Sequence, residues 1–239
     1  TGDLEAAIGS FNKALKIKPD YAEAYNNMGN ALKDTDDLEA AIDSFNKALN
    51  IRPDYVDAYN NLGAVLQDKG DLDAAINSYQ QVLKIKPDYA EAHYNMGNAL
   101  KDKGEYDAAI DSYKHAIKIK PDYAEAHNNM GNALKDKGEL DAAIDSYKQA
   151  LKIKPDFADA HSNMGNALQE KGELDAAIDS FKQALKIKPD YVVAHNNMGI
   201  ALQNKGELDA AIDSCKQALK INPDLAEAHY NMGNALKEK

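Results

Sequence analysis

Two columns of asparagine carry the groups best suited to binding chemistry. The first is Asn27, Asn61, Asn95, Asn129, Asn163, Asn197 and Asn231; the second is Asn30, Asn98, Asn132, Asn166 and Asn234, interrupted by Ala64 and Ile200. A primary amide offers a carbonyl acceptor and two N–H donors, which match the C=O and N–H of a peptide unit. A regular row of such groups could hold an extended chain with little regard to its side chains. Each bond is worth only about 0.5–1.5 kcal/mol net, so several must act together. The same amides could instead bond from one repeat to the next and stiffen the array; the sequence leaves both uses open. Tyr94 and Tyr230 stand where Asn26, Asn60, Asn128, Ser162 and Asn196 occur elsewhere, and are expected to anchor apolar parts of a ligand. Val193 and Ile200 predict a local hydrophobic pocket.

A histidine column, His93, His127, His161, His195 and His229, invites a metal reading. Zinc needs its nitrogens about 2 Å from one point. Residues 34 apart in stacked helix pairs lie about 10 Å apart, so the geometry fails. A packed, aromatic-like role is expected instead. Cys215 sits where Phe45, Tyr79, Tyr113, Tyr147 and Phe181 recur, which predicts a core residue rather than a nucleophile. The recurring NALKDKGE strings lack the clustered glycines of a phosphate loop. No catalytic residue, cofactor or metal is expected, and the chain is not read as an enzyme.

These columns share one period. All seven prolines, from Pro19 to Pro223, fall 34 residues apart, and two glycine series keep the same spacing. Such a period marks a repeat array rather than a single-core globule. Each unit predicts two helices. In one unit, Asp122 with Glu125 reads as a capping box, and Ala126, Met130, Ala133 and Leu134 follow at helical spacing. Gly138 is placed to end that helix in a left-handed conformation. The second helix starts near Glu139, carries Leu140, Ala143, Ile144, Tyr147, Ala150 and Leu151, and is stopped by Pro155. Gly131 is expected to let the two helices approach closely. Neither helix is long enough to be stable alone, so each must bury its stripe on its neighbours.

The expected organisation is a single array over 1–239. Six complete repeats span 22–55, 56–89, 90–123, 124–157, 158–191 and 192–225. Residues 1–21 supply a second helix and residues 226–239 a first helix. Head-to-tail self-association through those two terminal pieces is expected as an alternative architectural role.

Charge and composition narrow the partners. The formal net charge of −11 disfavours nucleic acid and anionic membrane surfaces. No apolar run approaches a bilayer span. A single cysteine suits a reducing, cytoplasmic compartment.

The pattern His127, Met130, Gly131, Leu134, Ala143, Tyr147, Ala150 and Pro155 resembles the tetratricopeptide repeat (TPR) family, with Tyr25 and Tyr59 in the place of His127. The resemblance covers the whole chain. It implies an all-α, right-handed superhelical solenoid of stacked antiparallel helix pairs, a TPR array. It also implies a protein-interaction scaffold that takes an extended peptide or a partner helix in a concave groove lined by the first helices. The phrase NNMGNALKDKGELDAAIDSYKQALKIKPD is similar to the repeats of O-linked N-acetylglucosamine transferases and related bacterial proteins. There the first asparagine column holds substrate backbone, so a substrate-presenting segment of such a parent is a further alternative. Some family members clamp a terminal carboxylate with lysines beside two asparagines. Here Asn129 and Asn132 fit the asparagines, but Asn128 and Glu125 occupy the places of the lysines, which argues against that mode.

Overall fold

A computed structural model describes residues 2–239. Among them are fourteen helices, joined by short turns. They form two compact units, residues 1–121 and 122–239. The first unit holds α1 (Gly2–Ile17), α2 (Ala22–Asp34), α3 (Leu38–Ile51), α4 (Val56–Asp68), α5 (Leu72–Ile85), α6 (Ala90–Asp102) and α7 (Tyr106–Ile119). The second holds α8 (Ala124–Asp136), α9 (Leu140–Ile153), α10 (Ala158–Glu170), α11 (Leu174–Ile187), α12 (Val192–Asn204), α13 (Leu208–Ile221) and α14 (Ala226–Glu238). Within each unit the helices pack as antiparallel pairs, α2 on α3 or α8 on α9, and each pair stacks on the next. First helices also touch the next first helices, α2 with α4 and α10 with α12. A continuous first-helix face results in each unit.

Glycine ends the first helices as expected. Gly70, Gly104, Gly138, Gly172 and Gly206 have φ of +83 to +85°. Gly138 N–H bonds the Lys135 carbonyl and Glu139 N–H that of Leu134, the paired bonds of a left-handed helix stop. Asp36 takes the same role at φ 63°.

The helix starts differ from expectation. Asp122 lies in the turn and does not cap α8, because the residue at the cap is Tyr123, whose side chain makes no capping hydrogen bond. The aspartate–glutamate capping box is therefore absent. An aromatic or leucine fills that cap in all seven first helices. Several such turns are held by a cation over the ring instead: Lys86 over Tyr89 at 4.6 Å, Arg52 over Tyr55 at 3.4 Å, Lys188 over Tyr191 at 4.8 Å. Side-chain caps occur only on second helices among the described residues. Asp37 and Asp71 accept from the amides of Ala40 and Ala74.

The core repeats one motif. Phe45, Tyr79, Tyr113, Tyr147 and Phe181 are almost fully buried, as are the small residues three or four positions to either side on the same helix, alanines except for Val82. Each ring lies against a first-helix glycine. A Cβ on Gly131 would stand 2.6 Å from the Tyr147 ring, and one on Gly29 2.7 Å from Phe45. Glycine is needed there for space, not for backbone conformation.

Candidate peptide-binding face

The asparagines meet on the first-helix faces. In the first unit, Asn61 Nδ2 donates to Asn26 Oδ1 (3.1 Å) and Asn95 Nδ2 to Asn60 Oδ1 (3.2 Å). In the second, Asn163 donates to Asn128 (3.1 Å) and Asn231 to Asn196 (2.9 Å). Each rung joins one first helix to the preceding one, and the acceptor is the residue beside the first column. That inner column, Asn26, Asn60, Asn128 and Asn196, is a set of partners to which the sequence reading gave no role of their own. Asn26 and Asn128 are buried, and each donates in turn to its neighbour, Asn27 (3.4 Å) or Asn129 (3.0 Å). Ser162 occupies the inner column at α10. Asn197 accordingly turns to Asn166 Oδ1 (2.9 Å).

The second column is tied to the core. Tyr113 and Tyr147 donate their hydroxyls to Asn98 Oδ1 (2.7 Å) and Asn132 Oδ1 (2.8 Å). Burial pushes both phenols well above the ordinary tyrosine range, so the hydroxyls stay protonated donors. Asn30 and Asn234 are half-buried. Tyr94 is half-buried too, its ring tilted 6.1 Å from that of Tyr113. Tyr230 is 70% exposed.

A second row of links follows the far end of the same helices. Lys33 pairs with Asp68 (2.9 Å), Gln67 donates to Asp102 (2.8 Å), and Gln203 donates to Glu238 (2.8 Å). Such exposed links add little stability each.

The histidines take a structural role. His93, His161, His195 and His229 hold the carbonyls of Pro87, Pro155, Pro189 and Pro223 through Nε2 at 2.9–3.1 Å. Among the described residues no three or more His, Cys, Asp or Glu side chains cluster as a metal site. The His93 ring also stacks on His115 at 5.2 Å. Burial holds the His93 imidazole below its ordinary value of 6.5; the Pro87 carbonyl opposes this and His115 adds to it. A depressed folded value means that protonation favours the unfolded chain. The stability is present above pH 6.5 and is lost as pH falls through the lower folded value. His93→Tyr, the residue type at Tyr25 and Tyr59, should therefore blunt the fall in thermal midpoint between pH 7 and pH 5, read by circular dichroism. An identical pH profile for the two proteins would refute this.

A feature with no sequence signal lies on the opposite side. Furrows open between successive second helices, one of about 460 Å³ floored by Ile144, Met164 and Leu168, and one of about 580 Å³ floored by Ile76, Met96 and Leu100. Methionine and leucine at these positions read as ordinary core residues, and the helix period does not reveal the gap between neighbours.

No helix among the described residues is long and apolar enough to cross a membrane. The sequence profile of the TPR repeat matches residues 1–36, 30–70, 65–104, 97–138, 131–172, 165–206 and 204–239. The chain belongs to the TPR repeat family. Its all-α array of stacked helix pairs is the solenoid of that family, a fold that serves as a protein-interaction scaffold. No curated protein sequence matches the chain. Among solved structures, a chain of the APC/C hetero-tetramer Cut9–Hcn1 superposes with a TM-score of 0.77 over 98% of this TPR chain at 19% identity, a likeness of fold alone. This chain spans 46% of that one. MamA is similar at 32% identity and a TM-score of 0.63, covering 72% of this chain and 94% of its own. YrrB, described as a TPR protein with an unusual peptide-binding site, is similar at 26% identity and 0.62, covering 77% and 95%.

Proposed function

We propose that this TPR array is a non-catalytic scaffold that binds an extended peptide across its asparagine faces. The carrying observation is the rung geometry. Asn61, Asn95, Asn163 and Asn231 each spend one donor on the neighbouring helix. A primary amide fixed in that way still has a second N–H and a carbonyl with which to meet a peptide unit. Side chains locked by a neighbour lose little entropy on binding, which is what preorganisation contributes to affinity. The structural and ligand-holding uses of the amide are therefore compatible. A peptide-binding site in YrrB supports the reading. Tyr94 on the first unit and Tyr230 on the second would each lie beside a peptide held on that unit's own face.

The test is selection of binders from a displayed peptide library, followed by titration against Asn95→Ala/Asn129→Ala/Asn163→Ala. Loss of several bonds at about 0.5–1.5 kcal/mol each predicts at least a tenfold weaker affinity. Circular dichroism must show matched helicity. Equal affinity would leave the ladder a purely structural device.

A specific observation favours a second reading, head-to-tail association. The space over Gly233 is open, whereas Gly29, Gly63, Gly97, Gly131 and Gly165 each seat an aromatic ring. Phe11 on α1 holds the same repeat position as those rings. Thus α14 of one copy offers α1 of another the usual glycine–aromatic seat. Light scattering should show mass rising with concentration, and Phe11→Ser should abolish the rise. A constant monomer mass would exclude the contact in solution.

A further inference from the structure

Helix α12 departs from its siblings in one direction. It is the one first helix with no aspartate, glutamate, lysine or arginine. Val193 stands where Glu125, Asp159 and Glu227 do, Ile200 where Asn132, Asn166 and Asn234 do, and Asn204 where Asp136, Glu170 and Glu238 do. Spacings of seven and four residues put the three on one helix face. The Asn197–Asn166 and Asn231–Asn196 bonds turn that face to the same side as the faces of α10 and α14.

Packing explains these changes only in part. Ile200 belongs to the repeat whose core carries Cys215, so an asparagine there would find no hydroxyl donor such as Tyr147 supplies to Asn132, although Asn30 and Asn166 stand opposite Phe45 and Phe181 without one. Val193 has no such account. It is 51% exposed, so it gains little burial. It also gives up an acidic residue in the first turn of a helix, where negative charge is favourable, for a β-branched residue of poorer helix propensity.

The flanks are acidic. Asp159 and Glu170 lie on α10, and Glu227 and Glu238 on α14, against one lysine, Lys237, on those two helices. Lys135 of α8 approaches Glu170 only at 3.8 Å. Asp159 faces the Tyr191 hydroxyl, whose pKa is pushed up to about 12, first by burial and then by this carboxylate. Glu238 accepts from Gln203. Both partners are uncharged groups, so neither supplies a cation to offset its carboxylate. Tyr230 adds an exposed aromatic surface beside the apolar strip.

Resting on the peptide-groove reading above, we propose that the α10–α12–α14 face selects a cationic extended segment with one apolar side chain. That side chain sits on Val193 and Ile200. Basic residues on either side meet the carboxylates of α10 and α14. Neighbouring first helices pack about 10 Å apart, which is about three residues of extended chain. The spacing basic–x–x–apolar–x–x–basic follows.

The probes are three fluorescein-labelled peptides read by anisotropy against the full chain: Lys-Ser-Ser-Leu-Ser-Ser-Lys, the same with Ser for Leu, and the same with Glu for both lysines. The Leu peptide should bind roughly tenfold or more tightly than the Ser peptide, from burial of one apolar side chain. The Glu peptide should show no measurable binding. Val193→Gln/Ile200→Asn should erase the Leu preference and leave the Ser peptide within about twofold. Sibling repeats carry a polar residue at the first position and, except for Ala64, at the second, and Val193→Gln alone, at an exposed site, gives a second reading if the pair perturbs folding. Asn163→Ala/Asn197→Ala should weaken both lysine peptides together. Equal affinity for Leu and Ser peptides, both lost in the asparagine variant, overturns the apolar selection and leaves the groove standing. Preference for the Glu peptide overturns the cationic part. Failure of all three to bind, or binding untouched by the asparagine variant, overturns the proposal and the groove reading for this face together.

Discussion

Tyr147→Ala is expected to destabilise the α8–α9 pair by about 3–5 kcal/mol, the range for emptying a large aromatic site in a core. The ring is fully buried and lies on the backbone of Gly131. Its neighbours along α9, Ala143 and Ala150, are too small to collapse into the space. Asn132 would also lose the hydroxyl that donates to its carbonyl. Tyr147→Phe isolates that last contribution. It should cost about 0.5–1.5 kcal/mol, and the natural pairing of Phe181 with Asn166 shows that the fold accepts it. Repeat arrays are nearly one-dimensional, so the loss should be local before it is global. Hydrogen exchange is therefore the measurement: amides of α8 and α9 should lose protection in the alanine variant. Unchanged protection would mean that stacking on neighbouring pairs, not the intra-repeat ring, holds the helices. Cys215 is a natural test of the same kind. It takes the ring position of the α12–α13 pair, and its Sγ would lie 2.8 Å from a Cβ at Gly199.

Much of this was legible because a repeat states each rule several times. Glycine and proline at one period specify where helices stop, and the Gly138 series does adopt the left-handed conformation it predicts. The small–large pairing of Gly131 with Tyr147 could be read as close approach. Helix starts were not legible in the same way. Aspartate before a helix suggests a cap, but a proline two residues before the aromatic and a lysine stacked on it shift the start by one position, leaving the carboxylate in the turn. The asparagine ladder was half legible. A column with no exception shows that an amide is wanted, but a period cannot show which side chain lies across the gap between helices. Hence Asn26 and Asn128 as acceptors, and Asn98 and Asn132 as partners of core tyrosines, appear only when the helices are placed. The outer furrows escape for the same reason, since they belong to the space between elements.

One substitution should have opposite signs at two ends of the second unit. Gly131→Ala puts a Cβ 2.6 Å from the Tyr147 ring, well inside contact distance. The ring is buried on every side, so it cannot swing away as a surface side chain would. Overpacking of this kind costs about 1–3 kcal/mol, more than the roughly 1 kcal/mol that alanine gains over glycine in a helix. Net destabilisation is expected at Gly131. Gly233 holds the same repeat position on α14, but nothing lies within 4 Å of its Cβ. There only the propensity gain acts, and Gly233→Ala should stabilise α14 by about 0.5–1 kcal/mol. Urea denaturation of the two variants beside the parent reads both signs in one experiment. Stabilisation at both sites would show that the aromatic seat is soft enough to absorb a methyl group. Destabilisation at Gly233 would show instead that something covers that glycine in solution, and a second copy of α1 is the first candidate, because the loss would then deepen with protein concentration.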